Sequence, residues 1–365
     1  MKRILALFLC ALTAACATGP SKRAAPKPLS QKEIKKEPRA QERRPEKASK
    51  KPRKTEEKKE QKKDTLTGTD IAPPVTLTQD AGTLGETVKR IGEEVGGSLV
   101  LMNGIEGRPI GPLEFKRAKF GEVIARLAAL TGAKYEAYPN YWFVYPEGYE
   151  PVLEVTVAGA LDPAYANLTA GMSFGYGTPL YAAFQLLGNS LGITLVADNI
   201  VAESKCGALT LARIPLSDAL DAILKSARSL KGRFQVESTP EYVFIYATEN
   251  TTPRTVLLNG EALSPEQSAV LDKPVNVVLP NPSEDPAHRK MVLGATTLAK
   301  VLDVLSRQLG VKVTAEPGLE EFPVNPVVLN RVRVRTAMDL IIRQWYQPEV
   351  GYEFANNQII IERRK

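Results

Sequence analysis

Hydrophobic residues recur with helical spacing at three places along the chain. In each place a leucine is followed by apolar residues four and seven positions later, which gives a helix of about three turns one buried face. A glycine closes each run, as suits a left-handed helix cap. The runs begin at Leu84, Leu180 and Leu298 and close at Gly96, Gly192 and Gly310. Residues 98–102, 193–197 and 311–315 follow with the alternation typical of strands, so the pattern predicts three helix–strand pairs.

A second predicted helix follows each of the first helices at a constant distance. It begins at Phe120, Leu216 and Val334, which is 36 residues after the leucine in every case. A short extended run precedes it, at residues 111–115, 207–211 and 327–334. Two strands joined by a turn follow it, at residues 134–138 and 141–145, 233–238 and 242–247, and 351–354 and 358–361. The turn residues between these strands are typical of hairpins.

These elements predict an α+β fold made of three tandem small modules. Each module has the order β-α-β-β-α-β-β, with two helices on one face of a small mixed sheet. The modules are expected at residues 71–148, 149–250 and 294–365, and a connecting segment at residues 251–293. Units of this size are marginal alone, so neighbouring modules should stabilise one another. Leu220 is expected on the buried face of a second helix.

The second module resembles the short N-terminal domain of secretins and TonB-dependent receptors, the STN domain. Residues 214–224 read Ile-Pro-Leu-Ser-Asp-Ala-Leu-Asp-Ala-Ile-Leu, similar to that family's Val-Pro-Leu-x-x-Ala-Leu helix. The first and third modules have Lys119-Phe120 and Arg333-Val334 in place of Pro-Leu. The resemblance implies a periplasmic module that binds other proteins, often by pairing edge strands. It implies a secretin, pilus or secretion component as the partner.

The start of the chain resembles the export signal of bacterial lipoproteins. Lys2 and Arg3 precede a short apolar run, and Thr13-Ala14-Ala15-Cys16 is similar to a lipobox. The resemblance implies a signal peptide at residues 1–15 and lipidation of Cys16. Since Ala17 is not the aspartate of an inner-membrane retention signal, it implies the periplasmic face of the outer membrane. The alternative is an ordinary signal peptide cut near Ala15 or Ala17, which would leave a soluble periplasmic protein.

Residues 16–70 are expected to form a disordered tether rich in Lys, Glu and Pro. Residues 21–64 hold 18 Lys or Arg residues and 8 Asp or Glu residues, so this segment carries about +10, and the net charge of +7 for the whole chain comes from it. So few large apolar residues cannot offset the entropy lost on ordering. The tether is expected to act as a spacer, or to contact anionic lipid headgroups or peptidoglycan. Nucleic acid is not expected as a partner because the chain is exported.

The sequence predicts no enzyme, no cofactor and no metal site. Cys206 would be the one cysteine left after the signal and the lipidation site, and His288 is the only histidine. A nucleophilic cysteine needs a base, and one histidine cannot build a His-rich metal site. Cys206 is therefore expected to be a small packing residue and His288 a solvated loop residue. The glycine-rich run at 171–177 lacks the lysine of a phosphate-binding loop and is expected to be an entry strand.

Two surfaces are candidates for binding. One is an edge of the third module, where Gln358 and Ile360 of the last strand lie with Arg331, Arg333 and Arg335. The other is an aromatic hairpin, which either packs in a core or exposes a patch for a partner or glycan. Its residues are Tyr135, Tyr138, Tyr141, Trp142, Phe143 and Tyr145, and strand alternation predicts that Trp142 faces away from Tyr141, Phe143 and Tyr145.

The sequence therefore favours a non-enzymatic periplasmic lipoprotein that acts as a scaffold or adaptor for other envelope proteins. The alternative is a lipoprotein that binds the cell wall or a glycan.

Overall fold

The three regions with the predicted periodicity form helices and strands in the computed structural model. The structure describes residues 73–153, 156–228, 233–279 and 296–364. The predicted signal peptide, Cys16, the tether and His288 lie outside the described residues. The described part of the chain has a mixed α+β fold, in which helices pack on several small sheets. We refer to residues 75–146, 169–247 and 274–363 as the first, second and third segments.

The first segment contains seven strands and two helices. In chain order they are β1 (Val75–Gln79), β2 (Gly82–Thr83), α1 (Leu84–Val95), β3 (Leu99–Leu101), β4 (Pro109–Ile110), β5 (Leu113–Ala118), α2 (Phe120–Thr131), β6 (Ala133–Ala137) and β7 (Trp142–Pro146). Thr83 caps α1, because its hydroxyl accepts the Glu86 N–H while the Glu86 carboxylate accepts the Thr83 N–H. Gly96 ends α1 with a positive φ of 67°, as predicted.

The second segment follows a short helix, α3 (Val157–Ala160). Its elements are β8 (Thr169–Phe174), α4 (Leu180–Leu191), β9 (Leu195–Ala197), α5 (Asn199–Glu203), β10 (Leu209–Pro215), α6 (Leu216–Ser226), β11 (Phe234–Thr239) and β12 (Tyr242–Ala247). The glycine-rich run begins in β8, so the predicted entry strand is confirmed as a strand. Leu220 is buried on α6, as predicted.

The third segment follows the helix α7 (Pro265–Leu271). Its elements are β13 (Pro274–Leu279), β14 (Thr296–Thr297), α8 (Leu298–Leu309), β15 (Lys312–Ala315), β16 (Pro323–Val324), β17 (Val327–Arg333), α9 (Val334–Ile342), β18 (Val350–Ala355) and β19 (Gln358–Arg363). All six predicted helices therefore begin at the residue that the hydrophobic spacing predicts.

Strand pairing follows one scheme in the three segments. The entry strand lies antiparallel to the strand before the second helix, which gives the pairs β1–β5, β8–β10 and β13–β17. The strand after the first helix lies parallel to the last strand, and the last strand lies antiparallel to the one before it. The resulting orders are β6-β7-β3, β11-β12-β9 and β18-β19-β15.

Two of these sheets lie between hydrophobic cores. Leu99 and Val144 face the core of the first segment, whereas Phe143 on the same sheet packs with Leu220 in the core of the second. In the same way Phe244 of β12 packs in the core of the third segment. In each of these two segments both helices pack on the same sheet face, and the next segment covers the opposite face.

Candidate interaction surface

Corresponding positions in the three segments are separated by constant distances. The first helices begin at residues 84, 180 and 298 and the second helices at 120, 216 and 334. Between these starts a position in the first segment corresponds to the position 96 residues later, and that one to the position 118 residues later. Contacts at the two junctions, between the first and second and between the second and third segments, can therefore be compared residue by residue.

Backbone pairing joins the first and second segments. β10 lies antiparallel to β3, with Leu209 opposite Val100 and Thr210 opposite Leu99. The ladder continues beyond β10, since the Leu101 N–H donates to the Ala208 carbonyl at 2.8 Å. β3, β6 and β7 thus form a five-stranded sheet with β10 and β8, in the order β6-β7-β3-β10-β8.

A hydroxyl group just before the edge strand binds the next segment at both junctions. Ser98 Oγ accepts the Ala212 N–H at 3.0 Å. At the corresponding position Thr194 Oγ1 accepts the Asn330 N–H at 2.8 Å. Since Ala212 and Asn330 also correspond, the two junctions share this hydrogen bond.

An asparagine five residues after that hydroxyl makes a second shared contact. Asn103 Nδ2 donates to the Lys205 carbonyl at 2.8 Å, and Asn199 Nδ2 donates to the Pro323 carbonyl at 3.3 Å. Lys205 and Pro323 are again corresponding positions. At each junction, therefore, a hydroxyl and an asparagine that flank the strand after the first helix bind backbone groups of the following segment.

Gly207 allows the close approach at the first junction. A Cβ atom at Gly207 would overlap the Leu101 carbonyl oxygen and would lie 2.8 Å from the Asn103 nitrogen. The corresponding residue of the third segment is Asn325, whose Nδ2 donates to Asn199 Oδ1 at 2.6 Å. A glycine is thus required where the strands pair directly, and a side chain stands where they do not.

An ion pair of low exposure holds the second junction. Arg343 is 4% exposed, and its guanidinium donates to the two carboxylate oxygens of Glu237 at 3.1 and 2.8 Å. The guanidinium also lies 4.1 Å from the centre of the Phe244 ring. Burial acts to raise the pKa of Glu237, but the hydrogen bonds from Arg343 and Tyr242 outweigh it and hold the pKa below its usual range.

Asp339 on α9 ties the connecting segment to the third segment. Its Oδ1 accepts the Val256 N–H at 3.0 Å. Burial raises the pKa of Asp339 to about 7, against the lowering effect of that hydrogen bond and of nearby arginines. The connecting segment then runs beside β18, where Leu257 forms a single parallel bridge with Tyr352.

The outer edge of β5 is open among the described residues. β5 pairs with β1 on one side, and no described strand pairs with its other side. In β10 and β17 the corresponding side faces the preceding segment. Gly111 corresponds to Gly207, and a Cβ atom there would meet no atom within 4 Å. The first segment therefore keeps the glycine that a docked strand requires, with open space beside it.

The predicted edge of the third segment is arranged differently from the expectation. Gln358 and Ile360 belong to β19, which pairs with β15 on one side and with β18 on the other. The prediction that this strand lies at an edge is wrong, because β15 joins it in parallel from a distant part of the chain. Ile360 is half-buried on the sheet.

The three predicted arginines lie around β17. Arg331 is exposed at a bulge with a φ of 51°. Arg333 pairs with Glu241 at 2.9 Å, and Arg335 pairs with Asp272 at 2.8 Å. Arg333 and Arg335 thus contribute to contacts within the chain.

The aromatic hairpin packs mainly in cores. Tyr141 and Phe143 are buried, and the Tyr141 hydroxyl donates to Asp221 of α6. Trp142 packs on the opposite face, as alternation predicts, and Tyr135 is 43% exposed. Cys206 is buried, as predicted, and burial raises the pKa of its thiol to about 12.

Within the described ranges, which omit 1–72, 154–155, 229–232, 280–295 and 365, no cluster of His, Cys, Asp and Glu has metal-site geometry. No helix among those residues is long and apolar enough to cross a membrane. No protein-family model matches the chain, and neither the curated proteins nor the solved structures include a significant match.

The hydroxyl, the asparagine and the glycine of the junctions were missed by sequence reasoning. Their signal was present in the sequence, because Ser98 and Thr194, Asn103 and Asn199, and Gly111 and Gly207 are pairs 96 residues apart. The hydrophobic pattern does not weight polar residues or glycine, so it did not select them.

Proposed function

We propose that the chain is a lipid-anchored, non-enzymatic protein of the cell envelope that acts as a scaffold or adaptor for other envelope proteins. In this proposal the three segments are tandem modules of one kind, similar to STN domains. Cys16 carries the lipid and the basic tether spans the distance from the outer membrane. The partners belong to a secretin-type secretion or pilus system.

One observation carries the proposal. At both junctions, residues that flank the strand after the first helix bind the following segment. They are Ser98 and Asn103 at the first junction and Thr194 and Asn199 at the second. Addition of an edge strand is a common way for one protein to bind another. A chain that joins its own parts in this way presents the same kind of surface at its open end.

The test uses the full chain in its native host. A photo-crosslinking residue is placed at exposed positions of the three segments, one at a time, at Lys116, Glu203 and Lys312. We expect a discrete adduct with another envelope protein from at least one position. Absence of any such adduct from all three positions would overturn the adaptor function.

Anchoring is tested separately. Wild-type chain should incorporate a fatty-acid analogue, and Cys16→Ser should not. If wild-type chain carries no label, the lipid anchor is wrong, while the adaptor function would still be decided by the crosslinks.

A further inference from the structure

We infer that the outer edge of β5, together with the adjacent face of α2, binds the edge strand of a similar module on another protein. This inference rests on the proposed adaptor function and identifies its docking site. The expected strand carries a serine or threonine and, five residues later, an asparagine, as 98–103 and 194–199 do in this chain.

The geometry of β10 shows which backbone groups of β5 are available. Leu101 bonds Ala208, so the alternation of an antiparallel ladder also directs the N–H and C=O groups of Thr210 toward β3. Glu114 corresponds to Thr210, and its N–H and C=O groups therefore face the open edge. Gly111 provides the space for close approach, as Gly207 does at the first junction.

No described segment covers the adjacent face of α2 in the way that the sheet of the first segment covers α6. Asp221 and Lys225 of α6 contact the sheet of the preceding segment through Tyr141 and Tyr138. The corresponding residues of α2 are Ala125, which is half-buried, and Ala129, which is exposed. Leu130 beside them is 53% exposed, whereas the corresponding Ser226 is fully buried at the junction. An exposed leucine next to an open strand edge is a surface that a partner's sheet would cover.

A second copy of the chain is not the expected occupant. β3 and β9 are already engaged within the chain, which leaves β15. At β15 the hydroxyl position is Lys312 and the asparagine position is Pro317, so neither shared hydrogen bond can form. The Val313 N–H is also bound already, by Ser306 Oγ at 2.9 Å. Charged and blocked edges of this kind prevent end-to-end association.

The test places a photo-crosslinking residue at Lys116 of the full chain in the native host, with four variants. Gly111→Leu fills the space that a docked strand needs, and Gly107→Leu is its control, because a Cβ atom at Gly107 also meets nothing within 4 Å. Glu114→Pro removes the outward N–H group, whereas Glu114→Ala keeps it. Circular dichroism and the urea midpoint of each purified variant verify folding.

We expect an adduct with another protein in the wild type, in Gly107→Leu and in Glu114→Ala. Its yield should fall at least tenfold in Gly111→Leu and in Glu114→Pro. The crosslinked peptide of the partner should contain a serine or threonine followed five residues later by an asparagine. This combination would distinguish strand pairing from a chance neighbour.

Several results would overturn the inference. They are an unchanged adduct in Gly111→Leu, an adduct with a second copy or with another part of the same chain, and a partner peptide without the expected residues. If adducts form at Lys312 but none at Lys116, the inference fails and the adaptor function stands. If no position yields an adduct, both fail.

Discussion

The two junctions have the same arrangement of elements but are held by different groups. At the first junction β3 and β10 pair through their backbones, and the ladder merges two segments into one sheet. At the second junction β9 and β17 belong to separate sheets among the described residues. There the contact is made by side chains, including the Thr194 hydroxyl and the Arg343–Glu237 pair.

The difference follows from one position. Gly207 lets two backbones approach until they can hydrogen-bond, whereas Asn325 carries a Cβ atom at the corresponding place. A separation opened in this way must be filled, because unpaired buried polar groups are costly. Asn325, Asn199 and Thr194 fill it with hydrogen bonds. The same docking can therefore be held by backbone hydrogen bonds or by side chains, and the two junctions should differ in how much stability a mutation removes.

Gly207→Leu should have the largest effect. The new side chain would overlap the Leu101 backbone, which cannot move without breaking the β3–β10 ladder. We expect a loss of unfolding free energy of about 4 kcal/mol or more, above the usual cost of overpacking of about 1–3 kcal/mol. Urea unfolding measures it. Gly111→Leu, at the corresponding open position, is the control and should stay close to wild type; equal losses in both would contradict the account of the first junction.

Asp339→Asn should change the pH dependence of stability. The pKa of Asp339 is raised to about 7 in the fold, above an unfolded value of about 3.9, so the fold holds the proton more tightly. Its contribution is therefore complete below about pH 4 and is lost as the pH rises to about 7, by on the order of 4 kcal/mol.

The asparagine variant keeps an acceptor for the Val256 N–H and has no proton to lose, so this decline should disappear. The check is the unfolding midpoint of both proteins from pH 4 to pH 8. Asp303→Asn, on an exposed part of α8, should behave as wild type. Parallel curves for wild type and Asp339→Asn would refute the assignment.

Arg343→Met should weaken the second junction without touching the first. It removes the buried one of the two ion-pair partners of Glu237, which is partly exposed and keeps Arg254 at 3.3 Å and Tyr242 as a donor. The expected cost is about 2–3 kcal/mol, below the range of about 3–5 kcal/mol for a fully buried pair. Arg363→Met, in an exposed pair with Glu316, is the control and should cost about 0–1 kcal/mol.

The sign of the pH effect provides a second check. Because the pKa of Glu237 is lowered in the fold, the stabilisation is present above the unfolded pKa and is lost as the pH falls through the folded value. The unfolding free energy of the wild type should therefore fall toward that of Arg343→Met in acid. A difference in unfolding free energy between wild type and Arg343→Met that grows in acid would contradict this assignment.

Ser98→Ala and Thr194→Val should have the smallest effects. Each removes one hydrogen bond to a backbone N–H, at a cost of about 1 kcal/mol. The loss should be larger for Thr194→Val, since no described strands form a backbone ladder across the second junction. Chemical denaturation of the two variants and their double mutant measures both terms. A larger loss for Ser98→Ala would reverse the proposed division between backbone and side chains.

Much of the local structure was predictable from the sequence. Leu84, Leu180 and Leu298 begin helices because a helix buries residues four and seven positions apart, and the closing glycines adopt the left-handed conformation that the cap requires. The alternation of Trp142 and Phe143 correctly predicted opposite faces. It did not reveal that Phe143 packs against the second segment, because alternation distinguishes two faces without stating what covers each.

By itself, then, the sequence determined the α+β class, the order and starting points of the helices, and the equivalence of positions 96 and 118 residues apart, because these depend on periodicities of a few residues and on local caps. Only the tertiary structure decided that β19 lies inside its sheet, that β10 extends the sheet of the first segment, and that no other described strand pairs with the outer edge of β5. Parallel pairing and docking join residues far apart in the chain, and their energies depend on approach distances, such as that at Gly207, that no local pattern contains.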